Sequence, residues 1–310
     1  MSLANNLMIK RIIDISEPAY LHIKNQQLLV EKEQEIVGSI PVEDLGVVIL
    51  EHPQITITQT AVISCQKNNV VIVFCDEKHL PYSLLLPVGD ANTLHNKILR
   101  QQVDLPKSTK KRFWQQIVIH KIKQQAKTLD KAGKNNAPLV MLAKKVKSGD
   151  PDNIEAQAAK KYWGLLFGDK FRRDTNASGV NGLLNYGYAI IRAMVARAIV
   201  GSGLHPSLGI FHQNQYNSLC LADDLMEPFR PWVDWIVFKW TKDNDNSEID
   251  VNRQTKSLFL NLLSESVLYD KKKMPLMNAC HYLLADFKQA FTDSHLKIQY
   301  PEWPNQIGLS

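Results

Sequence analysis

Over the first 90 residues apolar positions come in short runs with polar breaks between them: Leu7 to Ile15, Tyr20 to Ile23, Gln27 to Val30, Val47 to Leu50, Ile55 to Ile57 and Val70 to Phe74. Short runs rich in Val, Ile and Leu predict β-strands, and breaks such as Lys24-Asn25-Gln26 predict hairpins. Val70-Val71-Ile72-Val73-Phe74 does not alternate, so it predicts a strand buried on both faces. After Pro87-Val88-Gly89-Asp90 the apolar spacing becomes helical, predicting helices near 92–104, 107–131, 137–147, 152–166, 180–201, 223–242, 253–268 and 276–292. The expected class is therefore α+β: a small N-terminal β-sheet domain over residues 1–90, then a larger all-α domain over residues 91–310. Ser148-Gly149-Asp150-Pro151 should stop one helix and cap the next, and Lys242 to Ser247 should be an exposed loop.

With 310 residues, 45% hydrophobic and 22% charged, the chain has the length for a substantial core and excludes collagen-like and wholly disordered classes. Cys65, Cys75, Cys220 and Cys280 include no Cys-x-x-Cys. That argues against a disulfide framework or thiolate zinc site and for a reducing, cytoplasmic compartment. Lys10, Arg11 and Asp14 interrupt any signal-like apolar run near the start. The most apolar stretch, Tyr186 to Val200, carries Arg192 and Arg197 and is shorter than the roughly 20 residues of a membrane span. A soluble protein with no membrane partner is expected.

The net charge of +6 is unevenly spread: residues 97–147 hold 14 Lys and Arg against Asp104 and Asp130. The helix predicted over 107–131 carries Lys110, Lys111, Arg112, Lys121, Lys123 and Lys127. Such a face suits nucleic-acid phosphate, although runs of charge are usually solvated helix surface.

The chain has no phosphate-cradling glycine loop, nucleophile elbow or His-Glu-x-x-His. Three segments remain that could carry chemistry. Glu155 lies at the edge of an apolar stripe made by Ile154, Ala158, Tyr162 and Leu165, where an early-turn dipole role is the plainer reading. His212 ends the compact Gly203-Leu204-His205-Pro206-Ser207-Leu208-Gly209-Ile210-Phe211-His212 segment, within which His205 reads as structural. Asp224-Leu225-Met226-Glu227 matches a capping box, and Pro231 should kink the helix that follows. Two carboxylates and an imidazole would together suit Mg²⁺ or Mn²⁺, and beside a basic surface they point to phosphodiester chemistry.

In this order and spacing, the segments around Glu155, Gly203 to His212 and Asp224 to Pro231, with Asn185-Tyr186-Gly187-Tyr188, resemble the CRISPR-associated integrases of spacer acquisition, the first of the numbered Cas proteins. The Leu-Ala-Asp-Asp-Leu-Met-Glu-Pro-Phe-Arg-Pro wording is similar to members from type II systems, which work with a Cas9-type effector.

The resemblance implies a β-domain followed by a helical domain, a homodimer formed partly through the β-domains, and two dimers bridged by the second numbered Cas protein. It implies metal ligation and catalysis by Glu155, His212 and Glu227, with Asp224 as a supporting acid. The reaction implied is attack of a DNA 3′-hydroxyl on a phosphodiester, inserting short duplexes into a repeat array. Lys110, Lys111, Lys121, Lys123, Arg192 and Arg197 are expected to touch double-stranded DNA, although an internal carboxylate is the alternative for the two arginines. Many relatives carry an aromatic residue before the supporting acid, where this chain has Asp223. The competing expectations are a non-catalytic DNA-binding scaffold and a stand-alone structure-specific nuclease. The tail from Ile298 to Pro304 reads either as a docking segment or as a frayed end.

Overall fold

The computed structural model describes residues 10–77, 79–88, 91–244, 249–291 and 296–303. The start of the first expected strand, Gly89-Asp90, residues 245–247 of the expected 242–247 loop and Pro304 lie outside them, while Lys242 and Asp243 of that expected loop end a helix instead.

Two four-stranded sheets form the N-terminal part. The first is ordered β1 (Arg11–Ile15), β5 (Leu45–Leu50), β7 (Val71–Cys75), β8 (Pro81–Leu85), parallel except for β8. The second is ordered β4 (Glu35–Pro41), β3 (Gln27–Lys32), β2 (Tyr20–Lys24), β6 (Thr56–Ile57). Helix α1 (Gln59–Lys67), absent from the sequence expectation, links β6 to β7 and is capped by the Thr58 side chain. Asn25 and Gln26 join β2 to β3 with φ of 50° and 60°. Left-handed backbone at both turn residues matches the twist of a tight hairpin, as the sequence led us to expect there.

Helices α2 (His95–Val103), α3 (Lys107–Lys131), α4 (Ala137–Ala143), α5 (Ile154–Phe167), α6 (Val180–Gly201), α7 (Cys220–Met226), α8 (Arg230–Asp243), α9 (Arg253–Ser264) and α10 (Leu276–Gln289) follow. The expected all-α region also holds a hairpin, β9 (Ser266–Tyr269) with β10 (Lys272–Pro275), where the sequence suggested helix end and loop. Pro231 produces no mid-helix kink. The expected 223–242 helix is instead divided by a 3-10 turn at Glu227–Phe229, and Pro231 falls in the first turn of α8, where no N–H is required of it.

The first sheet is covered on both faces. Val71 and Val73 of β7 join the large helical core, whereas Val70 and Ile72 join a second core with Leu21 and Leu28. This is why the segment lacks alternation, although Phe74 at its end is exposed. Two polar links stitch sheet to helices: Lys256 Nζ lies 2.6 Å from Glu51 Oε2, and Arg197 Nε donates to the Asn69 carbonyl at 2.6 Å.

Helix α6 runs through the large core. Among the described residues it is the one helix long and apolar enough to cross a membrane, yet 83% of its apolar window is buried inside the protein. The Gly187 of Asn185-Tyr186-Gly187-Tyr188 lets it approach its neighbours, since a Cβ there would fall 2.4 Å from Val233 Cγ1 and 2.8 Å from the Phe259 ring.

Candidate metal centre and nucleic-acid interface

The site is assembled on the central helix α3, whose Phe113, Trp114, Ile117, Val118 and Ile122 are buried in the core. Lys121, expected on a DNA-facing surface, instead turns inward and is only 12% exposed. Its ammonium bridges the Glu155 carboxylate and Glu227, with Nζ 2.5 Å from Glu227 Oε2. Burial pulls the ammonium's pKa down, but Glu227 and then Glu155 outweigh it, and the net direction is upward.

Glu155 reaches this point because α5 begins sharply. Asn153 is left-handed, and the Asp150 carboxylate accepts the Ile154 and Glu155 N–H groups, each at 2.9 Å. Asp150 is thus the cap expected from Ser148 to Pro151. Glu227 opens the 3-10 turn between α7 and α8, and Arg230 Nε donates to its Oε1 at 2.8 Å. Burial would raise the Glu227 carboxyl, yet Arg230 and Lys121 hold it down at about 2. The Arg230 guanidinium in turn lies 4.5 Å from the Tyr188 ring centroid. Tyr188 and Tyr162 both donate to buried Asp234, the latter at 2.9 Å, and burial pushes that acid up to about 7.

Asp224 and Glu227 do not form a capping box. Asp224 sits inside α7 and is fully buried, and its carboxylate takes the N–H groups of Ile210 at 2.6 Å, Phe211 at 2.9 Å and His212 at 3.2 Å. The same carboxylate lies 2.6 Å from His212 Nδ1. That contact assigns the proton to Nδ1 and leaves Nε2 as the ring acceptor. The hydrogen bond to Asp224 raises the His212 pKa against the opposing effect of burial. Gly209 is required by this turn: a Cβ there would meet the His212 carbonyl at 2.2 Å and Asp224 Oδ2 at 3.0 Å. His205 is structural as expected, its Nδ1 contacting Ser207 Oγ at 2.8 Å and its N–H donating to Gln102 at 2.8 Å.

Glu155 and Glu227 therefore converge on one cationic position, and His212 lies within electrostatic range of Glu227. Among the described residues, however, no three His, Cys, Asp or Glu side chains are close enough to share a metal ion. Lys121 holds the gap. Glu227 Oε2 is buried, and the Lys121 ammonium is its partner. Two converging carboxylates, and an imidazole already fixed through its other nitrogen, are a donor set that fits a hard divalent ion in the place Lys121 now fills.

The remaining expected DNA contacts divide. Lys111 and Lys123 are exposed and Lys110 is half-buried, all on α3. Arg192 instead pairs with Asp223 at 2.6 Å and donates to Asn217 at 2.9 Å. Asp223 is thus an ion-pair partner. Arg197 is 7% exposed and committed to Asn69, so it is structural. Residue pattern had not singled out Arg230, although it lies one turn after Glu227, nor the stacked pair Trp114 and Phe211.

Comparison with known proteins then identifies the chain. The sequence model described as CRISPR associated protein Cas1 matches residues 13–270. The chain belongs to the Cas1 family. A relative from Neisseria meningitidis serogroup C, described as CRISPR-associated endonuclease Cas1, is 33% identical to this Cas1 chain over 298 residues, covering 95% of it and 97% of the relative. The same fold occurs in a casposase bound to integration product, with a TM-score of 0.75 at 20% identity, covering 97% of this chain and 96% of that one. It occurs again in a Cas6-RT-Cas1–Cas2 complex, with a TM-score of 0.71 at 19% identity, covering 92% of this chain and 35% of that one.

Proposed function

We propose that this Cas1 chain is the integrase of CRISPR adaptation, a divalent-metal-dependent enzyme that joins a short DNA duplex to a repeat array and also cleaves DNA. The observation that carries this reading is the convergence of Glu155 and Glu227 on a single buried cation position, beside an imidazole aimed by Asp224.

Glu155, Glu227 and the free Nε2 of His212 would hold Mg²⁺ or Mn²⁺, which supplies Lewis-acid polarisation of a phosphodiester and charge stabilisation on the departing oxygen. Arg230 keeps Glu227 ionised and turned to the site. Asp224 fixes the His212 tautomer and ring, and the closed turn at Gly209 holds that ring against α3. Exposed lysines of α3 hold the DNA backbone without reading its sequence. A DNA 3′-hydroxyl attacks the phosphodiester in strand transfer, and water in its place gives hydrolysis. The similarity to a Cas6-RT-Cas1–Cas2 complex supports Cas2 as a partner. In this reading Cas2 bridges two homodimers in the cytoplasm of a prokaryote, in a type II setting with a Cas9-type effector, as the family resemblance of the Leu-Ala-Asp-Asp-Leu-Met-Glu-Pro-Phe-Arg-Pro segment implies.

The test is strand transfer into a supercoiled plasmid carrying a repeat, with Glu155→Ala, His212→Ala and Glu227→Ala each combined with Cas2. All three should lose transfer, and EDTA should stop the unaltered protein, while duplex binding persists. Full transfer in every variant would exclude the metal mechanism, and duplex binding without any transfer by the unaltered protein would leave a DNA-binding scaffold. Activity without Cas2 on branched DNA alone would leave a stand-alone nuclease.

A further inference from the structure

Phe211, the residue before His212, is 52% exposed although it is a large apolar side chain next to the metal centre. Its ring lies flat on Trp114, with centroids 4.2 Å apart and planes 4° from parallel. Trp114 is 4% exposed and belongs to the core, so it is a rigid floor under the Phe211 ring. His212 stands edge-on to both rings, at 5.5 Å from Phe211 and 5.9 Å from Trp114. The Phe211 backbone is pinned as well, its N–H donating to Asp224. One face of the ring is thus covered by tryptophan, its edge is fixed beside the catalytic histidine, and the outer surface is open.

The neighbouring charge says what this surface takes. Lys110 and Lys111 precede Trp114 by four and three residues on α3, so they rise from the same side of the helix. Lys111 is exposed, and its stem crosses Gly149, where a Cβ would meet Lys111 Cγ at 3.0 Å. An open aromatic face with ammonium groups one helical turn away matches the two chemistries of a nucleotide, a flat base and a phosphate.

We infer that Phe211 is a stacking platform for an unpaired nucleobase beside the phosphodiester engaged at His212. The inference rests on the DNA-processing reading of this site. Stacking accepts any base, so the platform would fix where along a strand the chemistry occurs without reading sequence. Trp114 is a positioning residue that holds the platform.

The test uses the full chain in EDTA, so that binding is read without chemistry. Branched DNA with one unpaired 5-iodouracil, walked through the positions around the junction, is irradiated, and cross-linked peptides are identified by mass spectrometry. A cross-link to Phe211 is expected at one or two adjacent positions. Phe211→Leu, which keeps apolar bulk but no ring, should abolish the cross-link and weaken branched-DNA binding about tenfold, the low to middle of the range for one stacked base. Phe211→Tyr should restore affinity, and binding of fully paired duplex should be unchanged. An absence of Phe211 cross-links at every position, or an equal affinity loss on paired and branched DNA, overturns the platform. Failure of the unaltered protein to bind any DNA overturns the functional reading and the platform together.

Discussion

Lys121 Nζ sits 2.5 Å from Glu227 Oε2 while also contacting Glu155, so one ammonium bridges two carboxylates carried by different helices. Removing it leaves buried Glu227 facing half-buried Glu155 without the cation between them. Lys121→Met should cost about 3–5 kcal/mol, the range for breaking a buried pair. Because Mn²⁺ would then take the same position without a competitor, thermal melts of this variant should recover more with added Mn²⁺ than those of the unaltered protein. Equal shifts in both would count against a shared position for lysine and metal.

Asp224 holds three backbone N–H groups and the His212 ring at once. Asp224→Asn retains acceptor capacity for the backbone but points an amide at Nδ1, reversing the proton arrangement. Strand-transfer rate should fall about 10- to 100-fold, as for outer partners of metal-bound histidines, with duplex affinity kept. Asp224→Ala should also unfold more easily, by about 3 kcal/mol or more, since three N–H groups lose a charged acceptor. Circular-dichroism melts and initial transfer rates separate the two effects.

The cations of the chain divide into gripping and structural groups. Exchanging Lys111, Lys123 and Lys127 for Gln should lower duplex affinity broadly and reduce the slope of log affinity against log salt by about one for each phosphate no longer neutralised. Arg197→Ala should leave that slope unchanged and lower the melting temperature, because Arg197 is enclosed and bonded to the Asn69 carbonyl. Fluorescence anisotropy across a salt series reads the first effect and thermal melts the second.

Asp234 gives a pH signature. Burial raises its folded-state pKa to about 7, while Tyr188, Tyr162, Arg230 and Lys121 only partly oppose the rise. The folded form thus binds a proton that the unfolded chain releases near pH 4, so this group's contribution falls as pH climbs from about 4 to about 7 and is flat above that. Asp14 is also raised to about 7 and acts in the same direction. Asp234→Asn should therefore flatten, without abolishing, the decline in denaturant midpoint over that window. An unchanged slope would show that Asp234 is ionised in the fold.

The legible parts of the sequence were those where one local rule dominates. The β7 run, the Asn25-Gln26 hairpin and the long apolar spacing of α3 and α6 all announce themselves. The turns at Glu33-Gln34 and Asp270-Lys271 did not, although their left-handed backbone is that of Asn25-Gln26, because charged residues in and beside them blur the strand ends, and so β4 and the β9–β10 hairpin were missed. In the site, residue types and family wording brought out Glu155, His212 and Glu227. What they could not supply was direction. Lys121 has the same surroundings in sequence as Lys123, yet one points into the carboxylate pair and the other into solvent, a distinction of helix phase set by packing. Asp224 likewise has the spacing of a cap, but it serves a loop that is 12 to 14 residues earlier.

The first sheet offers each of its inner strands to two interiors at once, with Val71 and Val73 on one side and Val70 and Ile72 on the other. Severing the polypeptide near residue 90 would strip the helical half of a wall and leave those valines wet. Neither fragment would then be an autonomous folding unit, and the two halves should melt in a single cooperative step. A disturbance at the strand edges would accordingly be felt as a loss of order around α6 and α9.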